Sequence, residues 1–239
     1  HGIYTREREE ELIRAKWVNG AYKNIWIEQF RKMSLLAYGK ADIVTCLYGH
    51  ARELQIELGC PEEKIMITPN GIDMSRFENL PKNTEPDMIH IGAVLRVAPI
   101  KDVKTMIRAF AFAKEKVPNL KLWIMGPTDE DKEYAQECFD LVAALEVQDV
   151  EFTGRINVKD YLGKMDFTLL TSISEGQPLT ILESYAAHRP VIATDVGNCR
   201  ELIYGSKDDF GQAGILTHIM NLEEIAGAMV ELALKKKER

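Results

Sequence analysis

The feature that most narrows what this chain can fold into is a regular alternation. From Asp42 onward, short runs of β-branched and aliphatic residues take turns with longer amphipathic stretches of helical period. "DIVTCL" leads into "YGHARELQIELG", where Gly59 supplies a helix stop, and "KIMITPNGI" follows. Further on, "MIHIGAVL", "LKLWIMGP", "VEFTG", "FTLLTS", "PVIATDV" and "GILTH" read as strands. Between them lie the helical stretches "DVKTMIRAFAFAKEKV", "DKEYAQECFDLVAALE", "VKDYLGKM" and "PLTILESYAAH", and "NLEEIAGAMVELALKKK" closes the series. Strands joined through helices cannot pair as tight hairpins. Each crossover returns the chain in the same direction, so the expected product is an α/β fold with a doubly wound parallel sheet covered on both faces. In such a sheet ligands gather beyond the carboxyl ends of the strands. The residues to weigh for function are therefore those following "IGAVL", "LWIMG", "EFTG", "LLTS" and "IATD".

The first part of the chain is expected to be mostly helical, with Leu12, Ile13, Trp17, Ile25, Ile27, Phe30, Met33 and Leu36 at helical spacing. The polar passage "DMSRFENLPKNTEPD" is the natural boundary. The resulting reading is a first domain over residues 1–75, a linker over 76–87 and a second domain over 88–239, whose last helix could cross back to the first. Just upstream, "TPNGID" reads as a turn and hinge, with Asn70-Gly71 in the left-handed conformation. With 239 residues and 46% apolar composition, the chain can bury one large core or two small ones. A formal net charge of −7 argues against a protein that coats nucleic acid or an anionic membrane. No apolar run approaches the roughly 18 residues of a membrane span, and "HGIYTRERE" lacks the pattern of a signal peptide. Cys46, Cys60, Cys138 and Cys199 form no Cys-x-x-Cys pair, so they read as buried thiols of a reduced compartment, and cytoplasm is the expected location. His50, His90, His188 and His218 are separate and read as structural, so no metal site is expected.

The passage from Thr171 to Asp195 carries the densest chemistry. Pro178 suits the first helical position, because its missing N–H would have been unpaired there. The amides of Leu179, Thr180 and Ile181 then stand as free donors backed by the helix dipole, a ready site for a phosphate. Glu175, on the preceding loop, can reach sugar hydroxyls. Glu183, eight residues later and inside the helix, can accept from a ribose diol. The plain alternative is a loop charge and a solvated helix carboxylate. After "IGAVL", Arg96 and Lys101 would neutralise a diphosphate, with Pro99 fixing the loop and Asp102 capping the next helix; ordinary surface charges are again the alternative. Arg155, Ile156 and Asn157 follow "EFTG" and could cover a nucleobase, with Ile156 on its face. Asp129, Glu130 and Asp131 read as helix-start charge rather than metal ligands.

Taken together these residues resemble the retaining glycosyltransferases of family 4. Glu175 and Glu183 match the family's Glu-x7-Glu arrangement, and Arg96 and Lys101 its cationic pair on the donor diphosphate. "KIMITPNGID" and "RPVIATDVGNCRELI" are similar to its passage into the second domain and its later Gly-containing segment. "HGIYTRERE", "LRVAPIKDVKTMIRAF" and "SEGQPLTILES" are similar to the PelF group of that family, cytoplasmic enzymes of Pel exopolysaccharide synthesis. The resemblance implies a GT-B fold, with a Rossmann-like donor-binding domain from about residue 80 and an incomplete, mostly helical remnant of the acceptor-side domain before it. It thus implies an N-terminally truncated piece. It assigns diphosphate neutralisation to Arg96 and Lys101 and donor-sugar hydroxyls to Glu175. Sugar or phosphate falls to the backbone around Gly176, Gln177, Leu179 and Thr180, the ribose to Glu183 and the base to Arg155 and Ile156. His1 matches a histidine that can contact the donor sugar. Gln177-Pro178 replaces the commoner Phe-Gly and removes one amide. The implied donor is a UDP-sugar, UDP-glucose, with no cofactor and no metal. The implied partners are a polysaccharide acceptor and a membrane-associated exopolysaccharide synthesis complex, not nucleic acid. Two alternatives stand beside this: a nucleotide-binding fragment without turnover, and another GT-B enzyme such as a sugar-nucleotide epimerase. A phosphorylase would require a cofactor lysine pattern that is not there.

Overall fold

The computed structural model describes residues 20–205 and 211–237. The chain divides into two compact units, His1–Asn70 with Ser174–Gln177, and Gly71–Ile173 with Pro178–Arg239. His1, Leu12, Ile13 and Trp17 lie outside the described residues.

In the first unit, helix α1 (Gly20–Lys40) precedes β1 (Val44–Cys46), α2 (Gly49–Glu57), a 3-10 turn (Glu62–Lys64) and β2 (Ile65–Ile67). β1 and β2 pair in parallel, with Val44 opposite Ile65. A small core of Cys46, Tyr48 and Ala51 packs with Leu47 and Ile65. The C-terminal carbonyls of α1 are taken by one cation: Lys64 Nζ donates to Tyr38 O at 3.1 Å, Gly39 O at 3.2 Å and Ala41 O at 2.8 Å. Gly59, at φ +90°, stops α2 as its position predicts. The Asn70-Gly71 turn is a correction. Neither residue has a positive φ, and Thr68 N instead continues the pairing by donating to Cys46 O at 2.7 Å. Asn70 is held by Gln177, whose Oε1 accepts from Asn70 N at 2.6 Å and whose carbonyl accepts from Asn70 Nδ2 at 2.9 Å.

The second unit contains a 3-10 turn (Met74–Phe77), β3 (Ile89–Val94), a 3-10 turn (Pro99–Lys101), α3 (Val103–Lys116), β4 (Leu120–Met125) and α4 (Lys132–Ala144). It continues with β5 (Val150–Gly154), α5 (Lys159–Leu162), β6 (Phe167–Leu170), α6 (Leu179–Ala186), β7 (Val191–Thr194), α7 (Cys199–Tyr204), β8 (Gly214–Thr217) and α8 (Leu222–Lys237). Its sheet has six strands in the order β5-β4-β3-β6-β7-β8, and every pairing is parallel. β6 and β7 are buried throughout and β3 along all but its last residue, which is why they read as continuous apolar runs rather than as alternation.

One face of the sheet carries the largest core. Val103, Met106, Ile107, Phe110 and Ala113 line α3 at helical spacing and meet Leu120, Leu122 and Ile124 of β4. α8 packs along α3 and against β7 and β8, with Ile225, Met229 and Ala233 in this same core. Smaller clusters sit elsewhere, one of Leu170, Ile181, Val191, Ala193, Cys199 and Ile203, the other of Met125, Leu162, Met165, Ala186 and Phe77. Phe77 belongs to the passage read as a linker; Ile72 and Leu80 join it against this cluster. Six-residue α7 is not foreshadowed in the sequence, because it is too short to show a helical period.

Candidate functional site

Along the chain, β3, β4 and β5 build outward in one direction, and β6, β7 and β8 build outward in the other. β3 and β6 are therefore adjacent strands whose crossovers diverge, and topology opens a crevice beyond their carboxyl ends. Arg96 and Lys101 follow β3, and α6, carrying Glu183, follows β6.

The loop after β3 extends the strand. Leu95 N donates to Met125 O at 3.0 Å and Val97 N to Pro127 O at 2.9 Å. Leu95 and Val97 are buried, so the pleat leaves Arg96 exposed between them. This close approach depends on Gly126, at φ +154°, where a Cβ would stand 1.9 Å from Leu95 O. The chain then turns through Pro99–Lys101, leaving Lys101 half-buried. Two contacts tie this turn to the exit of β6. Ile173 N donates to Ile100 O at 2.9 Å, and Thr171 Oγ1 donates to Lys101 O at 2.8 Å.

Asp102 corrects an expectation. It occupies the cap position of α3 but makes no side-chain cap bond, because its backbone is left-handed (φ 48°, ψ 46°) rather than extended. Its Oδ2 is buried without a protein partner. The Lys104 amide in the first turn of α3 donates instead to the hydroxyl of Tyr134 at 3.4 Å.

The start of α6 differs in detail from expectation. Pro178 is the cap residue rather than the first helical one, and its carbonyl accepts from Ile181 N at 3.2 Å. The Ile181 amide is thus not free; Leu179 and Thr180 carry the first-turn amides that have no intrahelical acceptor. The helix is pinned to β6 by Thr168 Oγ1 donating to Ser184 Oγ at 2.8 Å, which donates to Thr180 O at 2.7 Å. Glu183 is half-buried, and burial pushes its carboxyl above the ordinary range while the Arg76 guanidinium pulls it back. Arg76 was not singled out in the sequence because it sits in the passage read as a linker; the 3-10 turn carrying it packs against α6.

Arg155 follows β5, and Ile156 packs with the Leu162 and Met165 cluster. Asp131 Oδ1 accepts from Tyr134 N at 3.0 Å and so caps α4. Its neighbours pair with arginines: Glu130 Oε2 lies 3.3 Å from Arg96 Nη1, Asp129 Oδ1 lies 3.3 Å from Arg155 Nη2, and Glu130 Oε1 lies 3.6 Å from the same Nη2. Glu175, Gly176 and Gln177 belong to the segment counted with the first unit, where a Cβ on Gly176 would come within 3.3 Å of Leu47 Cδ1. His1 lies outside the described residues.

The other expected groups are placed as follows. His90 Nδ1 accepts from Trp123 Nε1 at 2.9 Å, His218 pairs with Glu224 at 2.9 Å, and His50 with Glu53 at 3.1 Å. The four cysteines are buried thiols outside any disulfide, and burial pushes the Cys138 thiol up to about 11. Among the described residues there is no group of three His, Cys, Asp or Glu that could hold a metal, and no helix is long and apolar enough to cross a membrane.

Comparison with known proteins places this architecture. Residues 1–63 match a domain of unknown function, DUF3492. Similar sequences include the D-inositol 3-phosphate glycosyltransferase of Pseudarthrobacter chlorophenolicus, 26% identical over 191 residues, covering 74% of this chain and 44% of that protein. Another is the amylovoran biosynthesis glycosyltransferase AmsK of Erwinia amylovora, 27% identical over 154 residues, covering 62% of this chain and 38% of that protein. The chain thus spans under half the length of these relatives. Among solved structures, Anabaena HepE in complex with UDP and glucose superposes with a TM-score of 0.74 at 19% identity, covering 88% of this chain and 59% of that one. The fold is accordingly GT-B-like. Residues 85–235 match the family description "Glycosyl transferases group 1", and the chain belongs to that family.

Proposed function

We propose that this chain carries the donor site of a retaining glycosyltransferase that takes a nucleotide-sugar, UDP-glucose, and passes the sugar to a growing polysaccharide. The observation that carries the reading is the convergence at the switch point: Arg96 and Lys101 beyond β3, and the Leu179 and Thr180 amides with Glu183 on the helix after β6. A diphosphate is the ligand this chemistry suits. Two cations and a helix N-terminus match its charge, and a carboxylate one turn along the helix accepts from a ribose diol. In the reaction, the bond from the anomeric carbon to the diphosphate breaks, UDP leaves with the electron pair, and the oxygen of the acceptor hydroxyl bonds to the same face of the sugar while its proton passes to the departing phosphate oxygen. Arg96, Lys101 and the helix N-terminus stabilise the charge on the departing phosphate, work that a divalent cation does in other enzymes. We assign donor-sugar hydroxyls to Glu175, not a nucleophilic role. Gly176 and Gln177 are assigned to the sugar or phosphate, and Arg155 with Ile156 to the base.

The UDP held by HepE supports the choice of nucleotide, and the amylovoran enzyme supports a polysaccharide acceptor. Similarity to the PelF group supports a place among family 4 enzymes in the cytoplasm, in a membrane-associated exopolysaccharide complex. We also read residues 1–75 as part of the acceptor-side domain and 88–239 as the donor domain. Calorimetric titration with UDP, GDP and ADP in parallel tests the proposal. UDP is expected to bind, and more tightly than the other two. No binding, or no preference, overturns the donor assignment. A second reading is that this chain holds the nucleotide without turnover. Any sugar transfer by this chain alone would exclude it.

A further inference from the structure

The loop after β4 supplies a charge to the donor site that the reading above leaves unused. β4 lies between β3 and β5, so Glu130, beyond its carboxyl end, stands between the arginines that follow the two neighbouring strands. Its two oxygens are divided between them: Oε2 lies 3.3 Å from Arg96 Nη1 and Oε1 lies 3.6 Å from Arg155 Nη2. Asp129 adds a second carboxylate on Arg155, at 3.3 Å. Asp131, next in the chain, is committed to capping α4, so the division of roles within the acidic triplet is sharp.

We propose that Glu130 is an internal competitor of the donor diphosphate: its carboxylate holds Arg96 and Arg155, an incoming phosphate must displace it, and it retakes the arginines as the nucleoside diphosphate leaves. The inference rests on the donor-site reading, in which Arg96 meets the diphosphate. The physical basis is that a guanidinium directs one set of N–H donors at either a carboxylate or a phosphate, not both in full. Phosphate oxygens carry more charge and win, but the affinity is reduced by the worth of the pair displaced. For pairs this exposed, that worth corresponds to about a two- to five-fold change in binding. The consequence is a site that releases its product faster than its cations alone would allow.

The test is Glu130→Gln, which keeps shape and removes charge at an exposed position outside the core. UDP, uridine and inorganic pyrophosphate are titrated into the wild-type chain, E130Q, Arg96→Met and the double variant. The expected result is UDP and pyrophosphate binding about two- to five-fold tighter in E130Q, with uridine unchanged. The gain should vanish in the Arg96→Met background and shrink in about 1 M salt, where charges are screened within about 3 Å. A merely structural role for Glu130 would not make the gain depend on phosphate, Arg96 and salt together. UDP binding that E130Q leaves unchanged or weakens overturns the competition while leaving the donor reading intact. Should the wild-type chain bind no UDP, the donor reading fails instead, and pyrophosphate decides. An Arg96-dependent gain in E130Q upholds the competition, and equal or absent binding in both proteins overturns it.

Discussion

Glu183 sits between two opposing environments. Burial on α6 raises the pKa of its carboxyl, and Arg76 lowers it, with burial the larger effect. The folded state therefore holds the proton more tightly than the unfolded chain. The stability linked to this group is fully present below the ordinary carboxylate pKa and is lost as pH rises through the raised, folded value. At neutral pH the ionised carboxylate is thus a cost to the fold. Glu183→Gln is expected to raise the melting temperature at about pH 7, with the gain fading in melts run near pH 4. The same substitution is expected to weaken UDP binding, because an amide offers a diol one neutral acceptor oxygen where a carboxylate offers two charged ones. A lower melting temperature at pH 7 would refute the first expectation, and unchanged UDP affinity the second. Arg76→Met removes the opposing charge, so the acid limb of UDP binding should move to higher pH in titrations across pH 4–7. An unmoved limb would mean that Arg76 does not act on Glu183. The part played by Arg76 was not legible in the sequence. Both glutamates could be picked out by their spacing, but Arg76 acts through space, from a turn that the polar passage disguised.

At the scale of elements, what sets the site is the way loops lean on one another. Gly126 lets the strand exit from β3 run beside that from β4, and a Cβ there would sit 1.9 Å from Leu95 O. Gly126→Ala is expected to cost about 2–4 kcal/mol in denaturant unfolding and to displace the segment bearing Arg96, weakening UDP binding as well. A variant of wild-type stability would show that this approach can relax freely. Thr171→Val keeps the shape of the side chain but leaves the Lys101 carbonyl without that donor. The expected loss is about 1–2 kcal/mol, read in the same unfolding measurement. The strands themselves were legible because β3, β6 and β7, buried on both faces, need unbroken apolar runs. The cap of α3 was not, because Asp102 is a good capping residue placed on a left-handed backbone, and no local pattern reveals that.

Across the whole molecule the two units differ in how well they cover their apolar residues. The second has a continuous core on one face of its sheet and smaller clusters besides. In the first, Ile25, Trp26, Met33, Leu36, Ile43 and Met66 are exposed. Exposed apolar side chains in such number favour association. Sedimentation should therefore show concentration-dependent self-association, reduced by replacing Met33 and Leu36 with lysine. A monomer at every concentration would contradict this. The alternation of strands and helices was enough to specify a parallel α/β sheet, and the spacing of Arg96, Lys101, Glu175 and Glu183 enough to nominate a nucleotide site, because both depend on order along the chain. Which amides stay free at α6, which carboxylate neutralises Arg96, and which side chain faces Glu183 were settled by packing. The last two are contacts between segments tens of residues apart, of which local sequence holds no record, and the first turns on whether Pro178 caps the helix or begins it.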